Sequence, residues 1–181
     1  MTTNQFYLVD DNVILMTGEY DNNGKLCARV MIGRETLLVD QSPVKLLDET
    51  LKYIGFNLKG ALEGAKGIIG EKYMRPVMVN PYKGICLFPN KSPKKDDCLW
   101  FNPDHIVKTN SRGYKTEVVL SNGVSILVDL KLCFFNSKLH IASELKRTSI
   151  ERGNHSNPIV PERRKPLSRS KNGKYNFGSI A

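Results

Sequence analysis

The stretch HIVKTNSRGYKTEVVLSNGVSILVDL, residues 105–130, decides the fold class. Val118, Leu120, Val124, Ile126 and Val128 recur with period two around Asn122-Gly123, and strand residues of that spacing share one face of a sheet. Asn-Gly supplies the positive φ angles that a tight hairpin turn needs. The pattern predicts an antiparallel meander with one face buried and the other wet.

Working outward, RPVMVNP (75–81) and GICLFP (84–89) read as short strands ending at prolines. Residues 91–97 form a polar, Pro-containing loop, and CLWF (98–101) resumes extended structure. Nearer the start, FYLV (6–9), NVILM (12–16) and ETLLVD (35–40) carry the β-branched and aromatic residues of strands, and EYDNNGKLCARVMI (19–32) sets Asn23-Gly24 between two apolar runs. The period changes at QSPVKLLDETLKYIGF (41–56). There Ser42 can cap a helix, Pro43 fits its first turn, and Val44, Leu47, Leu51 and Ile54 form the stripe of a helix over 43–54. NLKGALEGAKGIIGE (57–71) keeps helical spacing but carries Gly60, Gly64, Gly67 and Gly70, so it is either a close-packed helix near 58–71 or a loop broken into turns. Downstream, Ser137 caps a helix over 137–150 striped by Leu139, Ala142 and Leu145, with Lys146 and Arg147 at the end where the helix dipole favours cations. The expected class is α+β: β-rich, mostly antiparallel strands and hairpins with two or three helices. Residues 1–150 form a single domain, and residues 151–181 a flexible basic tail with no periodicity.

Charge is unevenly placed. From Lys146 to Ala181 there are nine Lys or Arg against Glu151 and Glu162, which is +7 of the total of +9. Such a distribution points to a polyanion partner reached partly through a tail. The first twenty residues lack a basic start and a continuous apolar run, and no stretch approaches the roughly 20 apolar residues of a membrane span. A cytoplasmic protein without a membrane partner is expected.

Residues 84–106 gather Cys86, Cys98, Trp100 and His105, which invites a metal or nucleophile reading. Ligand pairs normally come closer together, and both cysteines are flanked by apolar residues that disfavour a thiolate. The four cysteines include no CxxC pair. No GxxxxGK[ST] or GxGxxG phosphate loop is present, and the adjacent acids Asp10-Asp11 and Asp96-Asp97 have no spacing that pairs an acid with a base. No catalytic residues, metal or cofactor are assigned, and the chain reads as a non-enzyme. The residues that suit phosphate contact are Lys91, Lys94 and Lys95 in the Pro loop, and Lys108, Arg112 and Lys115 around one hairpin turn beside Tyr114. Arg163, Arg164 and Lys165 in the tail complete the candidate phosphate contacts.

The block RPVMVNPYKGICLFPNKSPKKDDCLWFNPDHI (75–106) resembles the ComK family of competence transcription factors of low-GC Gram-positive bacteria. DNNGKLCARVM, EVVLSNGVSILVDL and NSKLHIASELKR follow in matching order, so the resemblance spans roughly residues 6–150. It implies a DNA-binding activator of DNA-uptake genes that reads double-stranded A/T-rich boxes largely through the minor groove. It also implies assembly as pairs of dimers, a nucleoid location, RNA polymerase as a partner, and control by an adaptor to a Clp protease. Residues 151–181 lack the aromatic-Leu-Tyr-Pro-Lys motif that serves the adaptor in the family. Cys86, Cys98, Trp100 and His105 are then structural. The main rival is a diverged regulatory paralogue acting through protein contacts or mixed oligomers. RNA binding and nuclease activity are further alternatives.

Overall fold

A computed structural model describes residues 7–155. Two antiparallel sheets carry nine strands. The larger has the order β3-β2-β1-β6-β5-β4, built from β1 (Val13–Tyr20), β2 (Leu26–Ile32), β3 (Glu35–Val39), β4 (Val77–Asn80), β5 (Ile85–Pro89) and β6 (Trp100–Phe101). The smaller is the meander β7 (Ile106–Arg112), β8 (Lys115–Leu120) and β9 (Ser125–Val128). Three α-helices complete the described residues: α1 (Pro43–Tyr53), α2 (Leu58–Ile69) and α3 (Leu132–Asn154). The α+β, β-rich class stands.

The apolar runs of β4, β5 and β6 are continuous because both faces of the larger sheet are covered. Successive side chains point to opposite faces. Val77, Val79, Leu87 and Trp100 enter a core with Leu46, Leu47 and Leu51 of α1. Met78, Cys86, Phe88 and Phe101 enter a second core with Val118, Leu120, Phe135 and Leu145 from the meander and α3. The larger sheet is thus the middle layer. Phe135 makes edge contacts with Phe101 and Phe88, at ring separations of 5.3 and 5.7 Å.

A short 3₁₀ turn, Pro103–His105, joins the sheets. Beside it the buried Asn102 donates from Nδ2 to the Val13 carbonyl (2.9 Å), while its own N–H donates to the Ile14 carbonyl (3.0 Å). His105 bridges the Ser121 hydroxyl (2.7 Å) and the Asp11 carbonyl (2.8 Å). Both hold the meander against the start of β1.

Several expectations need correction. FYLV is not a strand over its described residues: Tyr7–Val9 is irregular, and the Val9 N–H donates to the Oγ1 of buried Thr50 in α1 (3.1 Å). The helix expected over 137–150 starts at Leu132 and runs to Asn154, past the boundary placed at 150. Its N-cap is Lys131, without a side-chain cap bond, so Ser137 lies inside the helix. Of the five apolar residues expected on the buried face of the meander, Val124 is exposed at the turn and only Val118, Leu120 and Val128 are fully buried. The Asn23-Gly24 connection is a five-residue loop rather than a tight turn. Asp21 accepts the Asn23 and Lys25 N–H groups, both at 2.8 Å, and Gly24 takes φ +77°. Residues 58–69 are helical, capped by Asn57 accepting from Gly60 N–H at 2.7 Å, but a Cβ at Gly64 or Gly67 would touch nothing, so these glycines do not serve close packing.

Candidate nucleic-acid interface

The Pro loop, residues 91–97, connects β5 to β6 and is fastened at several points. The carboxylate of Asp97 pairs with Lys91, and Asp96 accepts the Tyr20 hydroxyl. The backbone carbonyl of Asp96 sits directly over Gly18 in β1, where any Cβ would collide with it. Leu99 N–H donates to Oδ1 of the buried Asn90 (2.9 Å), and Lys95 N–H to the Ser92 carbonyl (2.9 Å). The Lys91 ammonium holds the Asp97 carboxyl below its usual range. The loop's two acids are thereby engaged, which leaves Lys94 and Lys95 exposed, with no carboxylate partner among the described residues.

The second group of cations lies on the smaller sheet. Arg112 and Lys115 face each other across a two-residue turn, Gly113-Tyr114, with φ +67° at the glycine. Positive φ at the first central residue is the geometry glycine permits in a hairpin whose twist matches its strands. Lys108 lies further down β7, paired with Val119, rather than at the turn. Glu117 on β8 accepts from Asn110 (3.0 Å) and from Arg112 (2.9 Å), and these contacts, led by Asn110, hold its carboxyl low. Arg112 is therefore partly neutralised, while Lys108 and Lys115 have no ion-pair partner among the described residues. Lys131 at the N-cap of α3 lies over the Tyr114 ring, 4.9 Å from its centroid, and adds a cation to this end that the sequence reading passed over. Arg163, Arg164 and Lys165 lie outside the described residues.

The structure thus sorts the assigned residues into two clusters on different sheets. Two further cations, Lys72 and Arg75, face Lys94 in a cleft of about 510 Å³ behind the Pro loop. Their signal was the basic and aromatic EKYMR (71–75), hidden between a Gly-rich segment and a strand.

Two of the reactive-looking residues, Cys86 and Cys98, are buried. Cys86 is 1 % exposed, and burial pushes its thiol up to about 12. Burial likewise raises Cys98, whose Sγ lies 3.4 Å from the Lys91 carbonyl. Asp21, Cys27 and Asp40 do bring ligand atoms within 4.8 Å of one another. However, Asp21 is spent on its loop, Asp40 pairs with Lys25 at 2.7 Å, and burial raises the Cys27 thiol, so the chain itself uses these groups.

Fold and surface define an α+β domain that displays cations from loop and hairpin on a two-sheet frame. The family described as ComK protein matches residues 4–154, and the chain belongs to that family. It is 24% identical over 137 residues to the competence transcription factor of Bacillus subtilis (strain 168), covering 75% of this chain and 71% of that protein. No solved structure matches. No helix among the described residues is long and apolar enough to cross a membrane.

Proposed function

We propose that this chain is a competence transcription factor that binds double-stranded DNA at A/T-rich boxes, largely through the minor groove, and activates transcription with RNA polymerase as partner. The observation that carries the reading is the fastened Pro loop. Its acids are satisfied internally, so Lys94 and Lys95 are offered to phosphates at little further conformational cost. Lys108, Lys115 and Lys131 offer a second contact on the meander. A narrow A-tract groove has enhanced negative potential and needs no helix in the major groove. Two clusters on separate sheets suit contact at two places along a duplex, and pairs of dimers would repeat them. Family membership supports competence genes as targets.

Fluorescence anisotropy on duplexes with two spaced A/T-rich boxes and on a G/C-rich control, titrated with salt, tests this. A preference of about 10³-fold for the A/T boxes is expected. Replacing Lys94→Glu and Lys95→Glu together should weaken binding and lower the salt slope by about two, one for each lost phosphate contact. Unchanged affinity and slope would refute the loop assignment. Equal, weak binding to both duplexes would instead favour a regulatory paralogue acting through mixed oligomers.

A further inference from the structure

Between α2 and β4 the chain makes two left-handed steps, Gly70 at φ +76° and Met74 at φ +54°, and Met74 is the one non-glycine residue with positive φ among the described residues. A side chain in that conformation costs about 1–3 kcal/mol and persists only when its surroundings impose it. Around this strained residue, Tyr73 turns outward, 94% exposed. Arg75 turns inward, and its Nη1 is buried without a hydrogen-bond partner among the described residues. An unpaired buried guanidinium nitrogen is costly, and a native fold keeps few of them.

Arg75 lines the cleft of about 510 Å³ behind the Pro loop, within the range of ligand-binding clefts. Lys72 and Lys94 add two cations to the lining, and Glu71 is its only carboxylate among the described residues. Lys66 engages Glu71 at 2.7 Å and Arg75 also acts on that carboxylate, so among the described residues one shared acid stands against the three cations of the lining. Leu58, Leu62 and Trp100 supply an apolar surface alongside. A DNA backbone offers nothing to fill that apolar part, whereas a peptide carrying a carboxylate next to an aliphatic side chain satisfies both halves.

We propose that this cleft is the docking site for a short acidic segment of a partner protein, its carboxylate paired with Arg75 and Lys94 and its neighbouring aliphatic side chain laid on Leu58 and Leu62. The site shares Lys94 with the DNA reading, whereas Arg75 and Lys72 lie outside the residues assigned to DNA, so changes at those two separate the readings.

Trp100 is the chain's single tryptophan and lines the cleft, so its emission reports occupancy. The probe is the blocked peptide Ac-Asp-Leu-Glu-Leu-NH2, with Ac-Asn-Leu-Gln-Leu-NH2 as control. The acidic peptide should change the emission saturably, and the amide peptide and the Arg75→Gln protein should each bind about tenfold or more weakly, the equivalent of one charge-assisted contact. Lys72→Glu, an exposed change that leaves the core alone, should weaken the acidic peptide in the same direction if Arg75→Gln fails to fold. No saturable change, or equal binding of both peptides, would overturn the proposal. So would a short A/T-rich duplex that displaces the peptide and is itself weakened by Lys72→Glu, since the cleft would then belong to the nucleic-acid interface. Loss of DNA binding with peptide binding intact would overturn the proposed function alone.

Discussion

Gly18 shows how much one hydrogen atom in place of a methyl can position. Because β1 has no side chain there, the Asp96 carbonyl lies directly on the strand and the Pro loop is drawn against the sheet. Gly18→Ala should lower stability by about 1–3 kcal/mol, the usual cost of overpacking, and should weaken DNA binding by displacing Lys94 and Lys95. Urea denaturation and anisotropy check the two effects separately, and an alanine tolerated in both would show that the loop is held by its side-chain pairs alone. Nothing in the sequence marks this glycine, since the contact joins residues from distant parts of the chain. The cysteines were more legible. Apolar neighbours on both sides of Cys86 and Cys98 already disfavoured thiolates, and burial raises both thiols. Cys133 alone among the four is exposed, so a native thiol assay should count one fast-reacting group, abolished by Cys133→Ser.

At the scale of elements, α1 was legible because its signals are local. Ser42 caps, accepting from Lys45 N–H at 3.4 Å, Pro43 opens the first turn, and Leu46, Leu47 and Leu51 are buried. The start of α3 was not, because no cap marks it. What holds its first turns is Phe135 docking among Phe88 and Phe101, and tertiary packing of this kind routinely outweighs local propensity. Ser137, the residue that looked like the cap, is exposed within the helix. Ser137→Ala should therefore change stability by less than about 0.5 kcal/mol, against about 3–5 kcal/mol for Phe135→Ala. Equal losses in thermal melts would restore Ser137 as a helix start. The same principle explains FYLV, whose described residues have strand composition but find α1 rather than a neighbouring strand. The meander was read from period two, yet Val124 falls at its turn, where pattern cannot tell a strand residue from a turn residue.

Across the whole molecule, the candidate site was half legible. Loop lysines can be picked by type and position, but whether an acid neutralises them depends on folded partners, and this separates Lys94 from Lys91 and Lys115 from Arg112. The acid partners also set a pH profile. Glu19, Asp40, Asp48, Glu71, Asp97 and Glu117 are all held below the ordinary carboxylate range by their hydrogen bonds and cations. The unfolded chain therefore binds protons first as pH falls, so this stability is present above the ordinary range and is lost on descent below about pH 4. At the alkaline end the buried Cys86 keeps its proton while an unfolded thiol ionises, so stability falls again above about pH 9. Urea midpoints from pH 3 to 10 should show a plateau with losses on both sides, the acid loss shrinking in high salt because the pairs are exposed. A midpoint independent of pH would mean that the ion pairs add nothing.

The pairing of β1 with β6 carries a kinetic consequence. Leu15 lies opposite Phe101, with two helices and four strands between them in the chain. Such a ladder closes a long loop before any contact repays the entropy, whereas the β1–β2–β3 and β7–β8–β9 meanders close through short turns. During synthesis, β1 waits with one edge open until Phe101 has left the ribosome. Until then that edge presents unpaired backbone N–H and C=O groups to neighbouring chains, so slower delivery of residues 98–101 is expected to lower the soluble yield.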